Sequence, residues 1–114
     1  AFANEEKDRE HFVVVFLDAQ HHVAKIETMF HGSIASSAVY PREIVKRVLA
    51  YEDNAVILAH NHPSGEVKPS SSDRAVTKKI ADALATIDVD VLDHVIIDGK
   101  NYQDTFSFAD HSLI

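Results

Sequence analysis

The sequence has no cysteine in its 114 residues. Disulfides, thiolate zinc sites, iron–sulfur clusters and cysteine nucleophiles are therefore excluded. The zinc nucleobase deaminases, which need a Cys-x-x-Cys pair, are excluded with them. Long apolar runs are missing too: the run from Phe12 to Leu17 falls far short of a membrane span. No signal-peptide pattern opens the sequence, and with the missing thiols this fits a cytoplasmic setting and no membrane association. Positive charge is scarce, with 11 Lys and Arg against 18 Asp and Glu, for a net charge of −7. Binding to a phosphate backbone relies on clustered Lys and Arg, so DNA binding by this chain is disfavoured. The adjacent pairs Lys46-Arg47 and Lys78-Lys79 read as solvated helix faces.

What remains is an ordinary soluble composition, 46% hydrophobic and 25% charged, in a length that suits one domain. Such a chain can bury roughly two-thirds of its unfolded surface, enough for a core without covalent staples. Residues 1–9 are polar and charged and read as a flexible lead-in, with the domain over 10–114. Eight histidines stand against the absent thiols, so a transition-metal site here must use nitrogen and oxygen ligands.

Hydrophobic patterning places the elements. The β-branched and aromatic run 12–17 predicts a buried strand, followed by a turn at Asp18-Ala19-Gln20 and a second, paired strand over 22–31. Residues 32–39 are small and polar and read as a loop. Pro41 suits a first helical turn, and Ile44, Val45, Val48 and Leu49 recur at helical spacing, so 41–52 is expected to be an amphipathic helix. The apolar run 55–59 suits a central strand covered on both faces. It leads directly into His60-Asn61-His62-Pro63-Ser64-Gly65, where Pro63, Gly65 and Pro69 impose a loop. Ser70, Ser71 and Ser72 offer N-caps for a helix over about 72–86. A strand over 90–97 ends at Asp98-Gly99, and a short edge strand is expected over 101–108, where it is open to a partner chain or to capping by Ser112, Leu113 and Ile114. This order predicts an α/β (α+β) domain, a mixed β-sheet packed between helices.

Two histidines at i and i+2 project from the same face of a strand, with Asn61 on the other. His60 and His62 can therefore converge on one ion, and Asp73, in the first turn of the next helix, can add an oxygen ligand. Two histidines, one aspartate and a water form an open, catalytic type of zinc site; closed structural sites use four protein ligands. Each part has a plainer reading. The pair can lie on the surface, Asp73 can simply favour the helix N-terminus, and Ser70 with Asp73 can form a capping-box variant.

Taken together, His60-x-His62, seven residues, Ser70, two residues and Asp73 match the signature of the JAMM/MPN-type metallohydrolases. The longer string through Pro63, Ser64, Gly65 and Pro69 resembles the bacterial RadC-like branch. Glu10-His11-Phe12, Pro41-Arg42-Glu43, Asp93-His94 and Ser107-Phe108-Ala109-Asp110 agree with it, so the resemblance covers essentially the whole chain. It implies a JAB/MPN-like fold and Zn²⁺ held by His60, His62 and Asp73. It also implies Ser70 as hydrogen-bond donor to a developing oxyanion, and an upstream glutamate as general base. Glu10 occupies that glutamate's place; Glu27 and Glu43 are its rivals. RadC-like proteins commonly carry an N-terminal helix-hairpin-helix region, which is absent from this sequence.

The function so implied is zinc-dependent hydrolysis of an amide, peptide or isopeptide bond in a peptide or protein substrate. A metal-binding scaffold for protein partners and a role associated with DNA repair are the alternatives. Among the other histidines, His94 reads as a satisfied core residue or as one that orients a ligand. His21, His22, His31 and His111 read as solvent-facing. Asn61 and Ser64 are expected to brace the loop by bonds to backbone.

Overall fold

The computed structural model describes residues 10–32, 39–63, 65–99 and 104–114. The expected lead-in over 1–9, most of the loop over 32–39, Ser64 and the start of the expected edge strand lie outside them. Seven elements follow in the order β1 (His11–Leu17), β2 (Val23–His31), α1 (Pro41–Tyr51), β3 (Ala55–His62), α2 (Ser71–Ala85), β4 (Asp90–Asp98) and β5 (Thr105–Ser107). The five strands form one sheet in the order β2-β1-β3-β4-β5. β3 pairs antiparallel with β1 and parallel with β4, so the sheet is mixed. The domain is α+β, as the patterning predicts. No described helix is long and apolar enough to cross a membrane.

The hairpin β1–β2 closes through Asp18, whose carboxylate accepts the backbone N–H groups of Gln20 and His22, each at 2.9 Å. Such an Asx turn reverses the chain without glycine. His21 supplies the positive φ of 61° at this corner. β1 is buried on both faces: Phe12, Val14 and Phe16 face the core, and Val13 and Leu17 are also buried. Its β-branched and aromatic side chains suit this position.

α1 starts with Pro41 at its first position, where the missing N–H is no loss. It ends at Glu52 in the left-handed region, whose N–H reaches the Val48 carbonyl. Ile44 and Val48 are its buried residues, whereas Leu49 is 58% exposed. α2 buries Asp73, Thr77, Ile80 and Leu84, a stripe at helical spacing whose first two members are polar. Ile44, Val48, Ile80 and Leu84 enter one core with Phe12, Val14, Phe16, Val56 and Leu58. That core joins both helices to the central strands β1 and β3.

Candidate metal centre

β3 does not stop at its apolar run. It continues through His60, Asn61 and His62, which keep strand geometry and pair with Ile96, Ile97 and Asp98 of β4. The side-chain alternation therefore survives to the end of the strand. His60 is buried and His62 half-buried, with their Nε2 atoms 2.9 Å apart. Asn61 points the other way, where its Oδ1 accepts the backbone N–H of His11 at 2.6 Å. It braces β1, where the sequence suggested the loop.

The antiparallel register sets Phe12 opposite His60. Extended by two residues, the same register brings Glu10 opposite His62 on the same face. The Glu10 carbonyl accepts the N–H of Gly32 at 2.9 Å, so the approach to β1 is tied to the end of β2. Ligand atoms of Glu10, His60 and His62 all lie within 4.8 Å of one another, a group able to hold a metal ion. Glu27, the rival glutamate, lies elsewhere: it pairs in register with Val14 and has an oxygen 3.5 Å from Arg47 Nε. Glu43 is also committed to Arg47, 3.7 Å from its Nη1.

Asp73 comes to the same place from α2. Ser70 caps the helix by accepting the Asp73 N–H at 3.0 Å, and Asp73 Oδ2 accepts the Ser70 N–H at 2.7 Å. This is the capping box expected as a variant, with aspartate in place of glutamate. Capping leaves the other carboxylate oxygen over. Asp73 Oδ1 is buried, has no hydrogen-bond partner and lies 3.1 Å from His60 Nε2. Asp73 Oδ2 is 3.3 Å from His62 Nε2. Burial works against the Asp73 charge, but the two imidazoles outweigh it and hold the carboxyl well below the usual carboxylate range. In turn the bond to Asp73 raises the His62 imidazole above its ordinary value, against a smaller effect of burial.

These side chains fit a divalent ion. Neighbouring ligands around tetrahedral zinc stand roughly 3.3 Å apart for bonds of about 2.0 Å; His60 Nε2 is 2.9 Å from His62 Nε2 and 3.1 Å from Asp73 Oδ1. Oδ1 of Asp73 is buried and accepts no hydrogen bond, so it has a lone pair to offer a cation. His62 Nδ1–H donates to the Glu66 carbonyl at 2.6 Å, which turns its Nε2 inward.

Two buried residues stand behind His60. His94 of β4 lies with its Nε2 2.7 Å from His60 Nδ1, and with its Nδ1 in hydrogen-bond contact with Thr77 Oγ1. Its ring stacks on Phe108 and meets Phe12 edge-on. Burial, reinforced by His60, pushes the His94 imidazole down to about 3, so it is neutral. His94 is thus both of the things the sequence left open: a satisfied core histidine and a neighbour of a candidate ligand. Thr77 was not among the residues singled out. Its signal was its place one turn after Asp73 on the inward stripe of α2. His21, His22, His31 and His111 are exposed, as expected. His11, by contrast, is buried.

A mixed α+β sheet that brings a histidine pair, an aspartate at a helix start and a glutamate to one strand end defines a JAB-type domain with a candidate metal centre. The comparisons agree. The family model described as RadC-like JAB domain matches residues 1–113, and the chain belongs to that family. It is 51% identical over 110 residues to a UPF0758 protein of Aliivibrio salmonicida, covering 96% of this chain and 47% of that protein. It is 53% identical over 103 residues to a UPF0758 protein of Burkholderia thailandensis, covering 90% of this chain and 38% of that protein. The chain thus spans less than half the length of these relatives.

Proposed function

We propose that this domain is a zinc-dependent hydrolase of amide, peptide or isopeptide bonds. The observation that carries the reading is the buried Asp73 Oδ1, without a hydrogen-bond partner and 3.1 Å from His60 Nε2. His60, His62 and Asp73 would hold the ion, and Glu10 stands beside them. When bound, zinc supplies a Lewis acid and a water acidified to a pKa of about 7.

The chain's own residues do the rest. Glu10 takes a proton from the attacking water and returns it to the leaving nitrogen, the task of a general base followed by a general acid. Ser70 accepts one backbone N–H and keeps its own hydroxyl proton free to donate to the developing oxyanion. The capping box fixes that hydroxyl relative to the Asp73 carboxylate. A peptide or protein substrate suits this chemistry, and the net charge of −7 disfavours a nucleic acid on this domain.

Metal analysis of the zinc-loaded chain is the test. Near-stoichiometric zinc that is lost in His60→Ala and in Asp73→Ala supports the site, and zinc retained in both rejects it. Glu10→Gln is expected to keep the zinc and abolish cleavage of a peptide library. Failure of the zinc-loaded wild type to cleave any member overturns the hydrolase reading.

A further inference from the structure

We propose that Thr77 and His94 are positioning residues for the metal centre: they lock His60 into the tautomer that carries its proton on Nδ1 and presents a bare Nε2 to the ion. The inference rests on the reading of His60 as a ligand.

The direction of each hydrogen bond follows from counting protons. A threonine hydroxyl has one proton to give and two lone pairs to accept with. Thr77 Oγ1 lies 2.7 Å from the Asp73 carbonyl oxygen, which can only accept. The Thr77 proton is thereby committed to the helix. The same Oγ1 also contacts His94 Nδ1 and must accept there, so His94 carries its proton on Nδ1. The neutral His94 ring then has a bare Nε2, which accepts from His60 Nδ1–H at 2.7 Å. His60 Nε2 is left without a proton, and it is this atom that faces His62 Nε2 and Asp73 Oδ1.

The opposite order places a proton on His60 Nε2. It requires Thr77 to donate to His94 Nδ1, which leaves Thr77 Oγ1 and the Asp73 carbonyl oxygen 2.7 Å apart with no proton between them. Nor does a second proton on His94 offer an escape, because the ring is wholly buried between Phe12 and Phe108. The two histidines of the pair are therefore oriented by different devices. His62 donates to a loop carbonyl, that of Glu66. His60 is oriented through two side chains that end on α2, the helix that also supplies Asp73. One helix thus places the carboxylate and sets the proton on the imidazole opposite it.

Nitrogen-15 NMR of histidine-labelled, metal-free chain at mildly alkaline pH reads the tautomers directly. Zinc affinity follows from competition with a chromophoric chelator. In the wild type, His60 is expected to be protonated on Nδ1 and bare at Nε2. Thr77→Val removes the acceptor and leaves His94 free to turn its proton toward His60. The Nε2–H form of His60 should then appear, and zinc affinity should fall at least about 10-fold, the usual loss when a ligand's supporting partner is removed. Thr77→Ser should restore both. A wild-type His60 protonated on Nε2 overturns the proposal, and this readout needs no variant to fold. So does a folded Thr77→Val chain with wild-type tautomer and affinity. Failure of the underlying reading looks different: His60 has the expected tautomer and the wild type takes up no zinc.

Discussion

Asp73 Oδ1 and His60 Nε2 lie 3.1 Å apart, one from the first turn of α2 and the other from the last residues of β3. The carboxylate is split between two duties, because its second oxygen closes the capping box with the Ser70 N–H. Asp73→Asn separates them. An amide keeps one oxygen for the Ser70 N–H and turns an NH₂ group toward the imidazoles. The expected outcome is a chain of near wild-type stability by denaturant unfolding, with zinc uptake lost by metal analysis.

Ser70→Ala makes the complementary cut. It removes the acceptor for the Asp73 N–H while leaving the Ser70 backbone N–H on Asp73 Oδ2. Loss of such a cap costs about 1 kcal/mol. Zinc stoichiometry should be retained, and turnover of any peptide substrate should fall about 100-fold if the hydroxyl also donates to the oxyanion. Turnover unchanged in a zinc-loaded variant would reduce Ser70 to a cap.

Gly99 supports the far side of the histidine pair. Its N–H donates to the His62 carbonyl at 3.0 Å. A Cβ at this position would stand 2.9 Å from Pro63 Cα and 3.1 Å from the His62 carbonyl oxygen, both rigid backbone atoms. Gly99→Ala must therefore move the end of β3. Overpacking of this kind costs about 1–3 kcal/mol. Urea unfolding should show that loss, and the His62 ring resonances should shift while those of the β1–β2 hairpin remain in place.

Asp18 gives the hairpin a pH dependence of known sign. The His22 N–H, then the Gln20 N–H and the nearby imidazoles, favour the charged carboxylate and hold it below its ordinary 3.8, against a smaller effect of burial. A depressed folded-state value means that the contribution is present above the unfolded value and lost as pH falls through the folded one. The Asp18 carboxyl carbon should titrate with a midpoint below 3.8, and the His22 amide should lose protection over the same range. A midpoint at or above 3.8 would contradict the turn described above.

The sequence by itself determined what depends on near neighbours. Alternation along a strand is enough to put His60 and His62 on one face and Asn61 on the other. Pro41 and Ser70 mark helix starts because capping is settled within a few residues. The element order and the mixed sheet were legible for the same reason. The family signature, read on its spacing, brought Asp73 and Glu10 forward as candidates. Tertiary structure alone decided which distant groups meet. Glu10 reaches the histidine pair, and Glu27 does not, because the register of β1 on β3 sets Phe12 opposite His60, while the register of β2 turns Glu27 toward α1 and Arg47. Thr77 and His94 stand 17 positions apart, and His94 is 34 from His60. Their line of hydrogen bonds exists only once the helix and both strands have packed. Spacing fixes the face of an element, but contacts between elements depend on pairing and burial, and those are properties of the assembled fold.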